Sequence, residues 1–148
     1  MRRALAGSAL ILSAGLAAPL HAQSTFERLE AVSETMNAMM NDGMVAEIPA
    51  LDGHMPDPEW DDALRGAYRC MYDAYVAEVG TAPVEAMVAQ MEQSLETLTP
   101  AQLIETGAAV ENPDGLSDDR ALEIVAECEL MDIFMDRMSG AMEILSRQ

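Results

Sequence analysis

The chain has 148 residues, with 26 acidic side chains against eight arginines, no lysine, and a formal net charge of -18. So acidic a surface repels polyanions, which excludes nucleic acid and anionic lipid as direct partners. Half of the residues are hydrophobic, enough for one domain with a real core.

The first 22 residues read as an address. Met1-Arg2-Arg3 is a short basic region, Ala4 to Leu20 is apolar and uncharged, and Leu20-His21-Ala22 ends in a small residue. That is the pattern of a cleaved secretory signal peptide over residues 1–22, leaving residues 23–148 as a single α-helical domain in the periplasm or outside the cell. Losing Arg2 and Arg3 takes the formal net charge from -18 to -20. After cleavage no stretch is apolar enough to span a membrane. Two cysteines remain, Cys70 and Cys128. In an oxidising compartment an even pair reads as a structural disulfide.

Ser24-Thr25-Phe26-Glu27 is a capping box that opens the first helix. Phe26, Leu29, Val32 and Met36 follow at helical spacing, and Asn41-Asp42-Gly43 reads as its end. Met44 to Pro56 shows no sustained period and reads as a loop that packs Ile48 and Leu51 back on the domain. Asp57 and Pro58 are expected as N-cap and first residue of a second helix running to Val79, with Gly80 as its stop. This helix has a large apolar face (Trp60, Leu64, Met71, Tyr75) beside a stripe of small residues that includes Ala63, Ala67, Cys70, Ala74 and Ala77. Helices come close enough for a disulfide only where neighbouring side chains are small. The small stripe is therefore where the C-terminal helix should dock, with Cys70 opposite Cys128. Pro83 opens a third helix, and Thr99-Pro100-Ala101-Gln102, a second capping box, opens a short fourth one to about Ala109.

Ser117 caps the last stretch, with Asp118 and Asp119 at the positive end of the helix dipole. Ala121, Ile124, Cys128, Met131, Met135, Met138, Met142 and Leu145 then alternate in steps of three and four. That spacing predicts one uninterrupted helix about 45 Å long with a heptad-like seam. Leu130, Ile133, Phe134, Ala141 and Ile144 form a second apolar group, interrupted by Arg137. A helix apolar on most sides must be covered on more than one. The expected fold is all-α: a small four- or five-helix bundle around a long central C-terminal helix, stapled by one disulfide. A seam that dimerises is the competing arrangement.

Catalysis has little to stand on. Residues 23–148 hold one histidine, His54, no lysine and no third cysteine. No catalytic residue and no cofactor is assigned, and a non-enzymatic interaction or binding module, with another protein as partner, is the expected role. Twelve methionines follow the leader. As core residues they are flexible fillers; as exposed thioethers they form adaptable surfaces or ligate Cu(I). The candidate soft-metal set is Met131, Met135, Met138 and Met142 with His54 and Met55. Asn112-Pro113-Asp114-Gly115 is similar to the middle of a calcium loop, but Val110 and Ala121 stand where its first and last ligands belong.

Leu98-Thr99-Pro100-Ala101-Gln102 resembles the LTxxQ pentapeptide of a family of small, helical, methionine-containing periplasmic chaperones and metal-stress proteins. The resemblance implies an α-helical dimer that cradles unfolded clients, a chaperone-like alternative to the interaction module. It covers five residues and assigns no membership.

Overall fold

The computed structural model describes residues 23–106 and 110–147; the signal-peptide expectation and the end of the fourth helix at Ala109 lie outside them. The described residues form seven α-helices and one turn of 3-10 helix, with no strand. They are α1 (Thr25–Glu47), the 3-10 turn (Pro49–Leu51), α2 (Asp62–Val79), α3 (Thr81–Leu95), α4 (Pro100–Thr106), α5 (Asp118–Glu127), α6 (Leu130–Arg137) and α7 (Ser139–Leu145).

Both capping boxes close as their sequences require. At the first, Glu27 N donates to Ser24 Oγ at 3.2 Å and Ser24 N to Glu27 Oε2 at 2.7 Å. The bond from the Ser24 main chain holds the Glu27 carboxyl below its ordinary range. At α4, Gln102 N donates to Thr99 Oγ1 at 3.3 Å and Thr99 N to Gln102 Oε1 at 2.9 Å. Gly80, at φ +87°, ends α2 and leads straight into α3. A positive φ costs little only without a Cβ. The third helix thus starts two residues before Pro83.

The core is where α1, α2, α3 and α5 meet. Phe26, Leu29 and Val32 of α1 join Leu64, Met71 and Tyr75 of α2, Val84, Met87, Val88 and Met91 of α3, and Ala121 and Ile124 of α5. Trp60 roofs it, stacked on Tyr68 with centroids 4.0 Å apart. Arg69 lies over the Phe26 ring, its guanidinium carbon 3.3 Å from the centroid. Cationic groups favour that face of an aromatic ring.

Two expected boundaries move. Helix α1 does not stop at Gly43 but continues to Glu47, with Gly43 buried inside it. The glycine serves close approach: a Cβ there would stand 2.8 Å from Ile104 Cγ1 and 3.0 Å from the Pro100 carbonyl. Helix α4 packs on α1 across this point. We expect Gly43→Ala to destabilise the protein by about 1–2 kcal/mol, because overpacking outweighs the helix propensity gained. A urea midpoint shifted upward would show that α4 yields instead.

Helix α2 starts one turn later than expected, with Asp61 as N-cap accepting from Leu64 N at 2.8 Å. Asp57 instead bonds the Glu59 amide at 3.0 Å in a tight turn. The main chain of 57–60 is committed elsewhere. Trp60 N donates to Glu34 Oε1 on α1 at 2.8 Å, and Arg137 takes the carbonyls of Asp57 and Glu59.

The largest departure is at the C-terminus, where the single long helix is three short ones. Glu129 adopts φ 55°, ψ 19°, the left-handed conformation, between α5 and α6. Met138 marks a second break. One left-handed residue ends the hydrogen-bond ladder and turns the following helix to a new phase. Nothing local requires the corner, since it holds neither glycine nor proline. Tertiary ties hold it. Cys128, the residue before it, is bonded to Cys70 with the Cα atoms 5.7 Å apart, and both α5 and α6 pack on α2. The pairing of Cys70 with Cys128 is as expected, but it joins α2 to a corner and not to a continuous helix. Glu129→Gly should stabilise the protein by about 0.5–1 kcal/mol by relieving the Cβ strain. A fall in the thermal midpoint would mean that Glu129 contributes contacts beyond its backbone.

Candidate interaction surface

The corner at Glu129 decides which face of the last stretch is covered. Before it, Ala121, Ile124 and Cys128 of the expected seam are buried. After it the seam turns outward: Met131 is 55 % exposed, Met135 44 %, Met142 46 % and Leu145 37 %. The second apolar group takes the inner positions instead. Leu130 and Ile133 pack against the core, and Ala141 is fully buried. Phe134 belongs to that group by spacing, yet is 40 % exposed and extends the outer face. The expectation of a seam buried at the centre of the bundle is therefore corrected beyond Cys128. The methionines divide: Met71, Met87 and Met91 are core, while Met131, Met135 and Met142 are surface.

Charge around this face is laid out in order. Asp132, Asp136, Ser139 and Glu143 are exposed and follow Met131, Met135, Met138 and Met142 by one residue each. A carboxylate row thus runs beside the thioether row. Glu143 pairs with Arg147 one turn on. Asp132 and Asp136 make no ion pair among the described residues.

Arg137 points the other way. Its side chain is mostly buried and meets the Asp61 carboxylate and the carbonyls of Asp57 and Glu59, the last at 3.0 Å. It fixes α6 to the start of α2. The Asp61 carboxyl is held below its ordinary range, first by the Leu64 amide and then, against some desolvation, by Arg137. The sequence carried one sign of this role, an arginine interrupting an otherwise apolar group. Phe134 and Leu145 as surface residues carried none.

Of the candidate soft-metal set, the structure brings the chain at His54 to α7: the His54 carbonyl lies 3.5 Å from where a Cβ on Gly140 would stand. His54 itself is exposed, with its amide donating to Leu51 O at 2.9 Å. Helix α7 packs on the Pro49–Leu51 turn just before it. Among the described residues no three or more His, Cys, Asp or Glu side chains gather as a metal site. Asn112 of the acidic turn donates to Asp118 Oδ1 at 2.8 Å, which ties the turn to the start of α5.

A shallow open groove between α1 and α3 is lined by Arg28, Val32, Thr35, Glu92 and Leu95, among others. Its charges satisfy one another. Arg28 Nε donates to Glu92 Oε1 at 2.9 Å and holds the Glu92 carboxyl below its ordinary range.

No family model matches this chain, and neither does any curated protein or solved structure. Thr99 to Gln102, the part of the pentapeptide that resembles the chaperone family, is accounted for locally as the cap of α4. No helix among the described residues is long and apolar enough to cross a membrane.

Proposed function

We propose that the protein is an exported, non-enzymatic interaction module, periplasmic or secreted, that docks another protein on the outer face of α6 and α7. One observation carries this reading. Met131, Phe134 and Met135 on α6, and Met142 and Leu145 on α7, are large apolar side chains left in water on either side of Met138. Scattered apolar residues on a surface need no explanation, but five large ones within fifteen residues of sequence do. Flexible thioethers repack against differently shaped partners, and the disulfide-tied corner at Cys128 and Glu129 sets which face is presented. The leader-like first 22 residues and the disulfide both suit an oxidising compartment.

The test places a photo-reactive residue at Met131 or Met135, with exposed Ala89 on α3 as control, in cells that make the protein. A discrete adduct from both methionine positions and none from Ala89 is expected. A ladder of many adducts would favour the chaperone-like form of the same reading. No adduct at any position would overturn both.

A second reading, Cu(I) binding, is favoured by the exposure of Met131 and Met135 one turn apart. It requires stoichiometric Cu(I) to survive desalting in the native protein and to be lost when Met131, Met135, Met138 and Met142 are changed to leucine.

A further inference from the structure

Resting on the interaction reading above, we infer that the occupant of the α6–α7 face is a basic amphipathic helix of a partner protein. Two rows lie side by side on α6 and α7: the exposed thioethers of Met131, Met135 and Met142, and the exposed carboxylates of Asp132, Asp136 and Glu143, each one residue further on. A helix that lays an apolar stripe along the first row brings its flanking residues over the second. Lysine or arginine at those flanks meets Asp132 and Asp136, which make no ion pair among the described residues, and competes with Arg147 for Glu143. The face is carried by α6 (Leu130–Arg137) and α7 (Ser139–Leu145), each of about two turns on either side of Met138, so a short partner helix suffices to cover it.

Charge also decides against a second copy. Without Arg2 and Arg3 the chain has six arginines and a formal net charge of -20. Five of the six, Arg28, Arg65, Arg120, Arg137 and Arg147, are held in ion pairs. Arg69 lies on the Phe26 ring. A copy of this surface would bring carboxylates to carboxylates, with no uncommitted cation to offer. Like charges across an interface oppose association, and opposite charges steer it.

The experiment is fluorescence anisotropy on the oxidised protein, residues 23–148, with four labelled probes. These are an amphipathic leucine–lysine peptide of 18 residues, its leucine–glutamate counterpart, a scrambled leucine–lysine peptide without an apolar face, and a peptide of residues 1–22. The expected result is 1:1 binding of the amphipathic basic peptide, weakened by salt and about tenfold or more tighter than the scrambled one. Met131→Glu/Met135→Glu should lose about tenfold or more although it adds negative charge, because apolar contacts supply the core of such an interface. Asp132→Asn/Asp136→Asn should lose severalfold and flatten the salt dependence. Circular dichroism and an intact disulfide confirm that both variants fold.

Equal binding of the scrambled peptide would reduce the effect to bulk charge and overturn the proposal. Equal binding of the leucine–glutamate peptide would overturn the basic class while leaving an interaction surface in place. Tighter binding of the residue 1–22 peptide would assign the face to this chain's own leader. A concentration-dependent dimer by sedimentation, abolished by Met131→Glu/Met135→Glu, would assign it to a second copy. Binding of no probe would overturn the proposal outright. The photo-adducts are independent of it: a discrete adduct whose partner carries no basic helix would keep the interaction reading and end this one.

Discussion

Replacing Cys70 and Cys128 together by serine should lower the unfolding free energy by about 4 kcal/mol. The bridge joins residues 58 apart, and closing so long a loop removes conformations from the unfolded chain that serine leaves available. For a domain of this size that corresponds to a fall in the thermal midpoint on the order of 10–15 °C. The effect should be uneven along the chain. Cys128 directly precedes the left-handed Glu129, so the bridge also anchors the corner from which α6 and α7 project. Amide exchange in α6 and α7 should quicken before that in α1 to α3, which share the buried core. Cys70 is exposed, so a reductant should act on the folded protein and produce the same pattern. A midpoint unchanged by serine would show that packing alone holds the corner.

Arg137→Ala should cost about 2 kcal/mol from the charge-assisted hydrogen bonds to the Asp57 and Glu59 carbonyls. Arg137→Lys should recover little, because one ammonium cannot serve two carbonyls and a carboxylate spread along the fork of a guanidinium. The urea midpoint measures the loss, and exchange of the amides at the start of α2 locates it. The pH dependence has a definite sign. Asp61 has a lowered folded pKa, so its contribution is fully present above the ordinary carboxylate range and is lost as pH falls through the lowered value. Arg137 is one cause of that lowering, so the gap between the native protein and Arg137→Ala should narrow on acidification below that range. A gap that stays constant would mean that the carbonyl bonds alone account for the arginine.

The division between Met71, Met87 and Met91 inside and Met131, Met135 and Met142 outside marks how far the candidate site was legible. Both sets sit at helical spacing on apolar stripes, and spacing does not say which stripe meets the core. In α3 the outer positions are small or polar (Glu85, Ala86, Ala89, Gln90, Gln93), so only one orientation buries the large apolar side chains. From Leu130 onward both sides are apolar, and either could have turned inward. The heptad-like alternation favoured the methionine side. One residue, Glu129, reverses that, and a glutamate in the left-handed region has no signature in its own sequence. Gly43 is the converse case. A glycine after Asn41 and Asp42 looks like a helix stop, and only the approach of Ile104 and Pro100 reveals its use.

What the sequence by itself determined is what depends on neighbours a few residues apart and on residue inventory. The helical class, the capping boxes at Ser24 and Thr99, the cap at Ser117 and the stop at Gly80 are of this kind, because a side chain and a backbone amide three positions away meet in almost any context. So is the pairing of Cys70 with Cys128, since two cysteines leave one choice. The tertiary structure alone decided the start of α2 at Asp61, the passage of α1 through Gly43 and the corner at Glu129. In each, a partner distant in the chain outweighs a local preference of about 1 kcal/mol: Arg137 and Glu34 on the 57–60 segment, α4 on Gly43, the disulfide on the corner. The outward methionine face follows from the last of these, because the phase of a helix after a break is set by what its other side packs against.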